Sequence, residues 1–470
     1  MRFKDRRSYL SLPSKPELPI SEAKRSSTGG FPQSRHVTKK RVLAVALSLL
    51  SISLLFRPVA DNYHAVVPTK HRPSLSSDSI DERVQSILSH TPLIDGHNDM
   101  AILIRAVYNN HIYQDNFTTP FEKGGFYGHV DLPRLREGLN GGFFWSVFVP
   151  CPADGADFSD ENYAESVQFT LQQIDLASRL RAAYPDKFSG NVNSGDALDV
   201  FKRGQLISPL GIEGLHQIGN SVANLRRFYD MGVRYSTLTH NCHNKYADAA
   251  LVEHPIRTAE PKWHGVSAEG KKLVAEMNRI GMIVDLAHTS EETMLHVLGG
   301  KDDWEGSQAP IIFSHSSAYS VCPHPRNVKD NVLRLVKERN SLVMINFNPP
   351  FIACKESDND NGLPDDVPED SNIHQVVKHI MHIGNLIGYD HVGLGSDFDG
   401  IERAPDGLED VSKFPDLIAE LLRQGVSDEN AAKVAGGNLL RVWRDVDKVA
   451  ARLQASFAPI LEDDLPSLWG

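Results

Sequence analysis

Histidines and carboxylates stand at the ends of six short apolar runs. Leu93–Ile94 leads into Asp95-Gly96-His97-Asn98-Asp99, Pro209–Ile212 into Glu213-Gly214, and Arg234–Thr239 into His240-Asn241-Cys242. Met282–Leu286 carries Asp285 and leads to Ala287-His288. Pro310–Phe313 is followed by Ser314-His315-Ser316-Ser317, and His391–Leu394 by Gly395-Ser396-Asp397-Phe398-Asp399. Imidazole and carboxylate are the side chains a Zn²⁺ site draws on. In an extended strand residues i and i+2 point to one side, so His97 and Asp99 could reach a single ion. A lone His-x-Asp is a weak motif, and any one of these histidines is more simply a hydrogen-bonding or surface group. Their placement at six separate run ends points to a metal site. Glu213 could offer one oxygen to each of two ions, which together would share a hydroxide and polarise a carbonyl.

Something must bring those run ends together. Two further runs, Phe143–Val149 and Leu342–Asn346, bring the number to eight. Amphipathic stretches lie between them, among them Ala164–Ala183, Ala268–Arg279, Asn331–Glu338 and Asn372–Ile387. Strands alternating with helices predict a parallel sheet. Eight of them predict an α/β chain of the (β/α)8 TIM-barrel type with insertions, whose C-terminal face would collect every candidate side chain. A doubly wound open sheet is the alternative. The runs Phe143, Phe144, Trp145 and Phe148 read as barrel packing, and Asp285 reads either as a carboxylate behind a ligand or as a cap. No glycine-rich dinucleotide or phosphate loop and no Gly-x-Ser-x-Gly is present. Ser314 beside His315 does not read as a nucleophile pair, because adjacent strand residues face opposite ways.

The chain has 470 residues, 49 Lys+Arg and 60 Asp+Glu, for a net charge of −11. Nucleic-acid binding is excluded, since phosphate contacts need a basic surface. Residues 1–41 hold 11 Lys/Arg against 3 Asp/Glu, a net of +8 that leaves −19 on the remainder. They read as a disordered basic tail. The uncharged run Val42–Phe56 has 15 residues, short of the roughly 20 that span a bilayer. It could continue to Ala60 if Arg57 snorkels. Residues 42–60 are therefore expected to be an uncleaved signal-anchor, with the N-terminus cytosolic and the body extracytosolic, at the cell surface or in a vacuole-like lumen. Residues 61–80 read as a linker, 81–455 as the barrel and 456–470 as a C-terminal tail without a hydrophobic anchor signal. Asn116-Phe117-Thr118 is a glycosylation sequon. Four cysteines allow three pairings. In a barrel Cys151 and Cys242 follow strands two and four, and Cys322 and Cys354 follow adjacent strands six and seven, which predicts 151–242 and 322–354.

Further motifs make the pattern recognisable: His129-Val130-Asp131-Leu132-Pro133-Arg134, Gly142-Phe143-Phe144-Trp145, Gly211-Ile212-Glu213-Gly214, Leu238-Thr239-His240-Asn241 and Arg326-Asn327-Val328. With the run ends above, in this order from Leu93 to Arg441, the chain resembles the renal or membrane dipeptidase family of zinc enzymes. The resemblance implies two Zn²⁺ per chain, one held by His97, Asp99 and Glu213 and the other by Glu213, His288 and His315. It implies that His240 contacts the scissile carbonyl, that Arg326 receives the substrate carboxylate and that Asp397 shuttles protons. It also implies the two disulfides derived above. Phe351 departs from the family, which is expected to carry a tyrosine there. The expected activity is zinc-dependent hydrolysis of dipeptides by a metal-bridged hydroxide. An amidohydrolase acting on N-acyl amino acids or lactams, and a catalytically silent membrane binding protein, are the alternatives. The expected partners are dipeptides and a membrane, with a homodimer compatible with the sequence.

Overall fold

The computed structural model describes residues 79–301, 304–465 and 467. The basic tail, the apolar segment 42–60 and the linker up to residue 78 lie outside the described residues. Among the described residues no helix is long and apolar enough to cross a membrane.

Eight strands form one parallel sheet in chain order: β1 (Leu93–Asn98), β2 (Asn140–Ser146), β3 (Leu210–Glu213), β4 (Val233–Thr237), β5 (Ile283–Asp285), β6 (Ile312–Phe313), β7 (Leu342–Ile345) and β8 (Val392–Leu394). Both faces of such strands are covered, and every residue in them but Asn140 is buried. Helices return the chain between them, as the amphipathic stretches predict. Serines and an asparagine start several of these. Ser159, Ser221, Ser267 and Ser290 each accept a backbone N–H in the first turn that follows, and Asn372 caps Ile373–Ile387 in the same way. Each such cap contributes about 1 kcal/mol. The helix Ala268–Ile280 then stops at Gly281, whose φ of 85° is left-handed.

Inside the barrel Ile94, Phe144, Tyr235, Ile283, Ile312, Leu342 and Met344 pack with Leu439 and Trp443 of the helix Asn438–Ala455. Asn438 Nδ2 donates to the carbonyls of Tyr389 and Val392, so this helix closes the barrel at the strands' starting ends. The candidate side chains are thereby left at the opposite, open face. No ladder joins β8 to β1. A bridge between Asn98 and Phe398 closes the circle instead, helped by Asp99 N–H to Phe398 O (2.8 Å) and Asp397 N–H to His97 O (3.1 Å). Asp95 adds a clasp, accepting from both the amide (2.8 Å) and the hydroxyl (2.5 Å) of Ser396.

The segment after Ala455 packs against the barrel's helices. Arg226 donates to Leu461 O, and Asp463 accepts from Ser221 Oγ (3.0 Å) and the amides of Val222 (2.6 Å) and Ala223 (3.0 Å). A carboxylate there meets the positive end of the helix Val222–Asp230. Asp463→Ala is expected to cost about 1 kcal/mol, read as a lower midpoint in thermal unfolding with activity intact.

Candidate metal centre

The ends of the strands converge as the barrel requires. Glu213, at the end of β3 and 3 % exposed, stands at the middle of the cluster. Its Oε2 is 3.5 Å from His97 Nε2, while its Oε1 is 3.0 Å from His288 Nε2 and 3.4 Å from His315 Nε2. His97 Nε2 also lies 3.0 Å from Asp99 Oδ2. One carboxylate therefore serves two groups of donors, His97–Asp99 on one side and His288–His315 on the other. Each group has its ligand atoms within 4.8 Å of one another.

The hydrogen-bond partners around them point to what belongs between them. Asp285, fully buried, receives Ser314 N–H, Ser314 O–H, Thr237 O–H and Ala287 N–H. Burial raises its pKa while these bonds oppose the rise, and four donors are the pattern of an ionised carboxylate. Ser314 has given its only proton to Asp285, so it accepts from His315 Nδ1 at 2.9 Å. Asn241 Oδ1 likewise receives His288 Nδ1 at 2.8 Å. Both imidazoles then present unprotonated Nε2 atoms, and these face each other at 2.9 Å. Two lone pairs at that distance repel, and a cation between them reverses the sign. Burial holds both rings well below the ordinary histidine pKa, neutral as metal ligands must be. Asp99 Oδ1 is buried without a hydrogen-bond partner. The donor set of imidazoles and carboxylates fits Zn²⁺ or a similar divalent ion.

The backbone is bent to make this cluster. His288 and Asp397 hold φ of 63° and 65°, a left-handed conformation that costs a side-chain-bearing residue about 1 kcal/mol or more. Gly400 closes in so tightly that a Cβ would sit 2.3 Å from Asp99 Oδ2 and 2.7 Å from Asp397 Oδ1. Asp397 accepts from Asn346 Nδ2 at 3.0 Å. Burial, reinforced by Asp99 and Glu213 and opposed by His97, pushes it well above the usual carboxylate range.

His240 packs against His288, with ring centroids 4.3 Å apart and planes tilted by 37°, and against Phe148, at 4.9 Å and 59°. Burial pulls it down to about 4, so it is neutral at pH 7. Cys151 Sγ lies 3.7 Å from its Nδ1. Cys151 and Cys242 are disulfide-bonded with Cα atoms 6.2 Å apart, and so are Cys322 and Cys354 at 5.0 Å, the pairing expected. Arg326 is buried beside the histidines. Its Nη2 reaches only His315 O at 3.4 Å, and its Nε and Nη1 have no partner. Burial lowers it to about 10, still cationic at pH 7. The ring of Phe351 lies with its centroid 5.3 Å from the guanidinium carbon.

The structure thus brings together His97, Asp99, Glu213, His240, His288, His315, Arg326 and Asp397. Asn116 is exposed in the first turn of the helix Asp115–Lys123, apart from them. Two expectations change. Phe148 is a wall of the site as well as packing, and Ser314 contacts His315 after all, because β6 has ended at Phe313 and strand alternation no longer applies. Sequence reasoning also missed Tyr235, whose hydroxyl meets His97 Nδ1 at 2.7 Å, and Glu253, which touches Asn241. Nothing in the spacing of Glu253 marks it.

Residues 81–457 match the family model described as membrane dipeptidase, peptidase family M19. Dipeptidase aclJ of Aspergillus oryzae is 45% identical over 433 residues, covering 91% of this chain and 93% of that protein. Dipeptidase tcpJ of Claviceps purpurea is 45% identical over 375 residues, covering 80% and 81%. Among solved structures, a dipeptidase AC described as a metallopeptidase of family M19 has a TM-score of 0.63 and 26% identity, covering 76% of this chain and 99% of that one. A Rhodobacter sphaeroides metallopeptidase liganded with a phosphinate mimic of L-Ala-D-Ala shares the fold, with a TM-score of 0.62 and 24% identity over 76% of this chain and 99% of that one.

Proposed function

The chain belongs to the membrane dipeptidase family, peptidase family M19, and from that premise we propose that it is a di-zinc dipeptidase. The observation that carries the reading is a buried cation with two unpartnered N–H-bearing nitrogens, Arg326, next to the centre built around Glu213. His97, Asp99 and Glu213 would hold one zinc, and Glu213, His288 and His315 the other. Bound zinc lowers the pKa of water toward about 7 and polarises the carbonyl it faces.

The chain's own groups do the rest. Arg326 offers its free N–H groups as a fork to the substrate's α-carboxylate, which sets how far a peptide extends and confines cleavage to short substrates. His240, neutral and wedged between Phe148 and His288, donates one hydrogen bond to the carbonyl oxygen as negative charge gathers there. Asp397, its carboxyl pushed up by burial and held by Asn346, would in its ionised form take the proton from water and pass it to the leaving amine. Two disulfides suit a body outside the cytosol, in line with the basic tail and the apolar run that precede it in sequence. Protease protection in sealed vesicles tests that orientation.

Purified protein should carry about two zinc per chain, cleave dipeptides, lose activity to a chelator and regain it with Zn²⁺. Full activity in His288→Ala, or turnover of N-acyl amino acids in preference to dipeptides, would sink the proposal.

A further inference from the structure

Each histidine of the centre uses its second nitrogen on a different partner, and one of those partners depends on a residue far along a loop. His288 Nδ1 meets Asn241 Oδ1 at 2.8 Å, and Asn241 Nδ2 donates to Glu253 Oε1 at 3.1 Å. Glu253 sits on the hairpin formed by Leu251–Val252 and Arg257–Thr258, within the loop that follows β4. Its side chain is 9 % exposed.

An asparagine amide can face either way with little change in shape. Turned over, Asn241 would point two N–H donors at His288, and His288 would have to accept through Nδ1 and carry its proton on Nε2. That proton would stand where a cation belongs, opposite Glu213 Oε1 and His315 Nε2. An ionised carboxylate only accepts, so Glu253 keeps Nδ2 on its own side and Oδ1 toward His288. We propose that Glu253 is a positioning residue that fixes the Asn241 amide, and through it the His288 tautomer that binds metal. The role rests on the di-zinc reading of the centre.

The hairpin itself is pinned from two sides. Ala250 N–H donates to His288 O at 2.7 Å, and Thr258 bonds Asn361 O through its amide (2.9 Å) and Gly362 O through its hydroxyl (3.0 Å). The hairpin that carries Glu253 thus joins the loop after β4 to those after β5 and β7.

The test measures zinc affinity by competition with a chelator in the full chain, with circular dichroism to follow the fold. Glu253→Leu is expected to weaken zinc binding by about 10–100-fold, the usual cost of losing a partner behind a metal ligand. Glu253→Gln, whose amide can accept from Asn241 Nδ2 or donate to its Oδ1, should fall between wild type and Glu253→Leu. Asn241→Asp puts a carboxylate on His288 that has no wrong side to turn, but sets it against Glu253. Adding Glu253→Leu to that variant should raise zinc affinity rather than lower it. The nitrogen NMR shifts of His288 give an independent reading, with the proton on Nδ1 in wild type and redistributed in Glu253→Leu. Equal loss of zinc affinity from Glu253→Leu in both backgrounds, or no loss in either, overturns the role. Wild-type protein that takes up no zinc overturns the di-zinc reading beneath it, and is told apart because it fails before any substitution is made.

Discussion

Under the proposed di-zinc reading, Glu213→Gln is expected to lower the zinc content from about two per chain to one or fewer and to cut kcat/KM by about 10³-fold or more, roughly 4 kcal/mol of barrier. The reason is the division of labour between its two oxygens, one within reach of His97 and the other of His288 and His315. Glutamine keeps the volume and the fold. It replaces one charged oxygen by an NH2 that points its hydrogens at lone pairs already crowded at 2.9 Å. Metal analysis and steady-state kinetics on the same preparation check this, with circular dichroism to confirm the fold. A variant that keeps both ions and full turnover would show that the two groups of donors do not share Glu213.

Arg326→Met should separate affinity for a carboxylate from chemistry. A bidentate, charge-assisted pair in a buried place contributes about 3–4 kcal/mol, or 10² to 10³-fold in kcat/KM. That loss should fall on dipeptides with a free C-terminus, while a C-terminally amidated dipeptide, poor with wild type, should be affected little. The ratio between the two substrates is the measurement. A second effect has the opposite sign. Nε and Nη1 of Arg326 are buried without partners in the protein, and such a charge is a burden on the folded state. The methionine variant is therefore expected to unfold at a higher temperature than wild type. Loss of dipeptide activity with lower stability would point to a structural arginine instead.

The order of the eight strands and the collection of site residues at their ends were legible because a (β/α)8 chain places its polar turn chemistry after each apolar run. The edges were less so. The run read as Phe143–Val149 is a strand over Asn140–Ser146. Gly141 and Gly142 belong to it because the neighbouring backbone comes close: a Cβ would stand 2.6 Å from Pro92 Cα and 2.7 Å from Ile207 O. Glycine reads as a break in sequence and here serves close approach. The disulfides followed from which strands their cysteines trail. Asp285, read equally as cap or support, proved to hold Ser314 and through it His315. What could not be read was the register across elements. Tyr235 meets His97, and Glu253 meets Asn241, only after residues 138 and 12 positions apart have been folded together. The sequon, the tail and residues 42–60 say nothing about the geometry of the centre.

The seam between β1 and β8 has a consequence for the protein's birth. Asp95, His97 and Asp99 are among the earliest barrel residues to be synthesised, and Ser396 and Asp397, their partners across the seam, are among the last. Domains begin to fold while the ribosome is still adding residues at about 5–20 per second. A nascent chain holding seven strands would have all three histidines and Glu213, but Asp95 would lack its clasp and the cluster its proton carrier. Hydrolytic competence therefore arrives late in translation, once the last strand has docked against the first and the helix Asn438–Ala455 has closed the barrel behind them. A ribosome-bound chain stopped before Gly395 should be inert toward dipeptides, and full-length chains released from the same reactions should be active.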